Sequence, residues 1–267
     1  MGNYGRIIAS IFDEKYSAPM DEVPFTRDDL LTHAQRLGLS PPKNLGDIVY
    51  SFRYRADLPQ SIMKTVPEGY TWIIVGTGDA KYSFIKSRQS NITPNTALLP
   101  ILVPNNTPEI LAIHSLSDEQ SLLSKVRYNR ILDMFLGIVT YSMQNHLRTK
   151  VDGIGQIEID ELYIGVNKTG QHFIIPVQAK VGSDKIGAVQ LYQDSAYCRV
   201  RFPDLICIPI AVHYIEFENR VCMFRLTLDR YSVAIAEEKH YRLVQSDAFS
   251  DGYIREINTG SVPLLLE

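Results

Sequence analysis

Two short stretches hold the residue types that phosphodiester hydrolysis calls for. The first is Glu158-Ile159-Asp160-Glu161 and the second is Gln178-Ala179-Lys180. Such hydrolysis places extra negative charge on phosphorus. A hard divalent cation, held by a few oxygen ligands and keeping several of its waters, stabilises that charge. The Asp160 carboxylate and the Gln178 amide oxygen are suitable anchors, and the Lys180 ammonium can orient an attacking water or neutralise developing charge. Glu158 and Glu161 are candidate accessory acids beside them.

These residues work together only if the chain brings them to one place. Ile157 to Val166 reads as a strand, Asn167-Lys168-Thr169-Gly170 as a hairpin loop, and His172 to Lys180 as the return strand. Alternate residues of a strand share a face, so Glu158 and Asp160 point one way and Glu161 the other, while Gln178 and Lys180 share a face. In a tight hairpin those two faces coincide. Downstream, Lys185 to Tyr197 reads as a helix, Asp204 to Tyr214 as a buried strand and Val221 to Leu228 as another strand. Upstream, Ser117-Asp118-Glu119 opens an apolar pattern through Leu122, Leu123, Val126, Ile131, Phe135, Ile138 and Val139, which predicts a long helix to about Gln144 with Gly137 as a place for a bend. Asn145, His146, Arg148 and Lys150 then form a basic cluster at that helix's end, suited to phosphates or base edges or simply to solvent.

Here the chain resembles the PD-(D/E)xK nuclease superfamily, which includes many type II restriction endonucleases. Ile159-Asp160 matches its first site and Gln178-Ala179-Lys180 its (D/E/Q)xK second site; Gln193 to Tyr197 looks like the QxxxY helix element of some members. The similarity covers residues 117–228. It implies an α/β fold with an αβββαβ restriction-endonuclease-like core, and Mg²⁺, replaceable by Mn²⁺, as cofactor. It implies Asp160, Gln178 and the Ala179 carbonyl as metal ligands, with Lys180 catalytic. Double-stranded DNA is the implied substrate, a symmetric homodimer the implied assembly, and a DNA methyltransferase acting on the same site the implied companion. Two departures stand out: Ile159 replaces the usual Pro, and Gln178 replaces the usual acid, removing one charge from the site. Restoring that acid with Gln178→Glu is expected to keep or strengthen metal binding. Asp133 lies in the preceding helix, where some members place a further acid. Within nucleases the rival is a structure-specific repair or junction enzyme. Outside enzymes it is a DNA-binding regulator with a degenerate core, against which Lys180 speaks.

The first part of the chain reads as a separate module. Thr26-Arg27-Asp28-Asp29 is a capping box opening a helix that Gly38 stops. LGDIVYSFRY reads as a second helix, residues 59–64 as a short third, and TWIIVGTG with AKYSFIKS as a hairpin turning at Gly78-Asp79. Helices followed by a hairpin describe a winged helix-turn-helix, although any small α+β domain shares the pattern. Arg53, Arg55, Lys64 and Lys81 give it a basic, DNA-facing character. The expected division is 1–115 for DNA recognition and 116–267 for the nuclease domain, with the proline-rich stretch 91–109 as a linker or an irregular edge.

Composition excludes several classes. The chain has 267 residues, with 27 Lys+Arg against 30 Asp+Glu and a net charge of -3, so it is no polybasic protein, though a local basic patch still suffices for DNA. No apolar run is long enough for a membrane span and no signal peptide is expected; the start Met1-Gly2-Asn3 carries Arg6 where myristoylation wants Ser or Thr. Cys198, Cys207 and Cys222, without a CxxC, predict reduced thiols in a prokaryotic cytoplasm. His114, His146, His172 and His213 lack zinc-site spacing, and Gly76-Thr77-Gly78-Asp79-Ala80 lacks the third glycine of a nucleotide loop.

Overall fold

The computed structural model describes residues 2–88, 92–114, 118–151, 155–182, 186–229, 232–245, 248–249, 253–255 and 258. The N-terminal module runs α1 (Asn3–Lys15), β1 (Glu22–Thr26), α2 (Arg27–Arg36), α3 (Gly46–Tyr54), α4 (Gln60–Met63), β2 (Tyr70–Gly78) and β3 (Lys81–Arg88). Its strands form an antiparallel sheet in the order β1-β3-β2. The capping box at α2 is present: Asp29 N–H donates to Thr26 Oγ1 while Thr26 N–H donates to the Asp29 carboxylate. Gly38 follows α2 with φ +65°, a conformation in which a Cβ is strained. Helix α1 and strand β1 had no counterpart in the sequence reading. Yet α1 supplies Ile7, Ile8, Ile11 and Phe12 to the module's core, and Phe12 meets both Trp72 and Phe84 edge-on with ring centroids 5.1 Å apart.

The second unit is a mixed α/β layer. It runs β4 (Ile101–Pro104), α5 (Glu109–His114), α6 (Glu119–Tyr128), α7 (Ile131–Leu136), β5 (Val139–Val151), β6 (Gly155–Val166), β7 (His172–Val181), α8 (Ala188–Arg201), β8 (Ile206–Cys207), β9 (Ile210–Ile215), β10 (Arg220–Asp229) and β11 (Ser232–Val244). The sheet has eight strands, ordered β4-β11-β10-β9-β7-β6-β5 with β8 beside β7. Strands β5, β6 and β7 are antiparallel; β7 and β9 are parallel, joined through α8. Leu122, Leu123, Val126, Leu132 and Phe135 of α6 and α7 pack on one face, against Ile175, Val177, Ala179 and Val212. Leu191 and Cys198 of α8 pack on the other.

Two expectations change. The long helix predicted from 117 to 144 ends at Tyr128, and Ser117 lies outside the described residues. Arg130 takes a left-handed φ of +53° and Gly137 one of +67°, and the chain then enters β5. The break is held by Asn129, whose side chain accepts from Asn106 N–H and donates to Thr107 Oγ1 and the Lys125 carbonyl. Of the two readings of the stretch 91–109, the edge and not the linker fits residues 101–104. Residues 101–104 become β4 and pair in parallel with β11, so a division at 115/116 cuts one strand from the large sheet. The three cysteines are free, and among the described residues no helix is long and apolar enough to cross a membrane.

Strands β9, β10 and β11 carry a cross-strand row, His213, Cys222 and His240, with both histidines buried. Burial disfavours their charged forms; His240 adds to this for His213, and for His240 the charge of Arg220 adds to it while the Glu238 carboxylate, 2.8 Å from Nε2, opposes it, and both pKa values fall below the ordinary 6.5. A depressed folded-state pKa means that stability is complete above the unfolded value and is lost as pH falls from there through the folded one. The thermal midpoint is therefore expected to begin dropping as pH falls below about 6.5, the unperturbed imidazole value, and to keep dropping through the lower folded-state values. His213→Gln should flatten that drop in a melting series; an unchanged slope would show that this row does not control acid sensitivity.

Candidate active site

The ladder between β6 and β7 ends at Glu161 opposite Val177, one step before Asp160 would face Gln178. Beyond it the strands part. The Asp160 carboxylate fills the gap, Oδ2 accepting the Ala179 backbone N–H at 2.9 Å. In a strand the N–H and C=O of one residue point to the same side, so the Ala179 carbonyl also faces β6. Next along, Lys180 Nζ lies 3.4 Å from Glu119 Oε1 in the first turn of α6. Behind them Gln178, fully buried, donates Nε2 to Asp194 Oδ2 of α8 at 2.8 Å and to the Glu158 carbonyl at 2.9 Å. Its Oε1 is buried without a hydrogen-bond partner.

The electrostatics follow from burial. Loss of solvent raises the Asp160 carboxyl above the usual carboxylate range, the Ala179 N–H and Lys180 oppose this, and the charges of Glu119 and Glu158 add to it. Burial likewise pushes Asp194 well above that range, with only the Gln178 N–H and the charge of Lys180 pulling back. Asp160, Gln178, Ala179 and Lys180 thus converge where the two strands open.

The other candidates divide. Glu158 sits at the rim and pairs with Arg148 at 2.9 Å and His146 at 3.4 Å. Glu161 lies apart from the cluster, fully buried, gripped by Arg127 through Nε at 2.9 Å and Nη2 at 2.7 Å and by the Ser142 hydroxyl. Asn145, His146, Arg148 and Lys150 lie on strand β5, a correction to the helix-end placement. The residues after Gly137 are β-branched and aromatic, and Ile138 and Val139 suit a strand as well as a helix. Their cations are engaged, Arg148 with Glu158 and Lys150 with Asp79 at 2.8 Å, while the neutral Asn145 lies against Arg127 and Ser142. Asp133 takes no part; it accepts from Thr140 and pairs with Arg130, fastening the α7–β5 turn. In α8, Gln193 is buried and lines a cleft, while Tyr197 packs edge-on against Phe202.

That cleft, about 380 Å³, opens between the two units. Asn44, Tyr50, Arg53, Gln156, Glu158 and Gln193 are among its walls. Arg55 lies over the Tyr50 ring at 5.0 Å, and Lys64 and Lys81 are exposed on the same module.

A divalent cation fits this arrangement in one respect that the structure displays: the orphaned, buried Gln178 Oε1 is an oxygen waiting for a positive partner. Among the described residues no three His, Cys, Asp or Glu side chains gather into a metal-binding group. The donor set is one carboxylate with neutral oxygens, which suits Mg²⁺ retaining its waters. Comparison with family models, with curated proteins and with solved structures gives no match.

Asp194, Glu119 and Arg127 escaped the sequence reading. A signal existed for Asp194: with Leu191 and Cys198 it falls at i, i+3 and i+7 on the apolar stripe of α8, where a carboxylate is out of place unless it has a partner. Glu119 looked like an ordinary first-turn acid.

Removing one partner of a buried ion pair strands the other. Arg127→Ala should therefore cost about 3 kcal/mol, with Glu161→Gln costing less because its hydrogen bonds survive. Urea midpoints for the two variants and the double variant test this; equal losses would show that the surviving hydrogen bonds do not make up for the lost charge of Glu161.

Proposed function

We propose that this chain is a Mg²⁺-dependent endonuclease of the PD-(D/E)xK type that hydrolyses phosphodiesters in double-stranded DNA, as a type II restriction endonuclease does. The observation that carries the reading is the meeting of Asp160, Gln178 and Lys180 where β6 leaves β7, with the Gln178 amide oxygen buried and unsatisfied. The order of elements around the site supports it: helices α6 and α7, strands β5, β6 and β7, helix α8, then β9 parallel to β7. So does the N-terminal module, whose helices precede a hairpin and which fits a winged helix-turn-helix.

In this reading Asp160, the Gln178 amide oxygen and the Ala179 carbonyl hold the cation, and Mn²⁺ can replace Mg²⁺. When bound, the metal supplies positive charge to the phosphoryl oxygens. Ala179 N–H fixes the Asp160 carboxylate through one oxygen and leaves the other free. Glu119 restrains the Lys180 ammonium, which orients water at the scissile phosphate or answers the charge that develops there. Cutting both strands calls for two such sites and hence a symmetric homodimer. A prokaryotic cytoplasm and a methyltransferase that protects the same DNA site complete the reading.

Asp160→Ala and Lys180→Ala should each abolish plasmid cleavage in Mg²⁺ while gel-shift affinity survives, because affinity comes from many phosphate and base contacts elsewhere. Cutting at the wild-type rate by Lys180→Ala would remove the catalytic assignment. Arg55→Ala and Lys64→Ala should each weaken DNA binding across sequences and reduce the log–log salt slope by about one if they contact phosphate. A slope equal to wild type would place DNA on another face.

A further inference from the structure

Position 178 holds an amide where an acid is usual, and its surroundings explain why. Both N–H bonds of the Gln178 amide are committed to acceptors, Asp194 Oδ2 at 2.8 Å and the Glu158 carbonyl at 2.9 Å. Gln178 and Asp194 are 0% and 1% exposed, so water cannot take either role. Turning the amide over would set its oxygen against two other oxygens, so only one orientation is chemically acceptable. With nitrogen held at one end, Oε1 is the end left unsatisfied.

We infer that Asp194 is a positioning residue: by taking the Gln178 N–H it fixes which end of the amide is offered to the cation. This rests on the nuclease reading. The residue at 178 must be a donor to Asp194 and to the Glu158 carbonyl, and an acceptor toward the site. An ionised Glu has no proton to donate. It would bury two carboxyl groups that can share at most one hydrogen bond where the amide now donates, and set an oxygen against the Glu158 carbonyl with no donor between them. The expectation that Gln178→Glu keeps or strengthens metal binding is therefore reversed. Asp194 and the Glu158 carbonyl make glutamine the fitting residue, and the missing acid is a matched substitution rather than a sign of decay.

Replacing Asp194 by asparagine keeps an acceptor for Gln178 and adds a donor, which yields a reciprocal test. Mn²⁺ binding to the full chain without DNA is measured by calorimetry, alongside the Mg²⁺ dependence of plasmid cleavage, for wild type, Asp194→Ala, Asp194→Asn, Gln178→Glu and the double variant Gln178→Glu/Asp194→Asn. Asp194→Ala should weaken metal binding by about tenfold or more, the scale typical of groups that orient metal ligands, and Asp194→Asn by less. Gln178→Glu should bind more weakly than wild type. The double variant should recover part of that loss, because the asparagine amide can donate to the new carboxylate while the Glu158 carbonyl still opposes it. A general packing role for Asp194 would not produce this recovery. Gln178→Glu binding Mn²⁺ as well as wild type, or Asp194→Ala leaving it unchanged, would overturn the inference while the nuclease reading stands. A wild-type chain that neither binds Mn²⁺ nor cuts would overturn both.

Discussion

A single carboxylate standing in for a strand governs the centre of this molecule. Where β6 leaves β7, the backbone N–H of Ala179 loses the partner that a continued ladder would give it, and Asp160 supplies one. A buried N–H left alone is costly, so the parting of the strands and the placement of Asp160 are one event. The same divergence leaves room for Gln178 to reach back to the Glu158 carbonyl and across to α8. It also brings Lys180 within reach of α6. Every group of the proposed site depends on that opening.

The site keeps a strained electrostatic balance. The buried Asp160 feels the charges of Glu119 and Glu158 as well as that of Lys180, and Asp194 lies fully buried with a neutral amide as its donor. An arrangement selected for stability alone would pair or remove Asp160 and Asp194. Two unsatisfied buried oxygens, Gln178 Oε1 and Asp194 Oδ1, sit in the same neighbourhood. Such local conflict is expected where a structure serves a ligand rather than itself.

How much of this could be read beforehand varied with the kind of signal. The hairpin was legible because period-two alternation and the turn Asn167-Lys168-Thr169-Gly170 act locally, and they placed Asp160 opposite Gln178-Ala179-Lys180. The capping box at Thr26 was legible for the same reason. Strand β5 was not, because Ile138 and Val139 continue a helical repeat as readily as they begin a strand; the decision came from Arg130 and Gly137 adopting left-handed backbone and from Asn129 tying down the break. Helix α1 was overlooked although Ile7, Ile8, Ile11 and Phe12 carry its repeat. Asp194 needed more than periodicity: its meaning lies in what the opposite strand presents, which one segment cannot disclose.

The pairing of β4 with β11 bears on how the chain assembles. Ile101 meets Tyr241 and Pro104 meets Val244, partners drawn from opposite halves of the sequence. The strands around the site, β5 to β7, are hairpin neighbours and close short loops. The outer edge waits for a contact of high sequence separation, which loop-closure entropy makes late and slow. Until residues 241–244 are available, β10 and its neighbours stand as an unfinished edge, the kind of surface on which nascent chains pair wrongly with one another. A four-residue strand from the N-terminal half thus covers the β11 edge of the sheet.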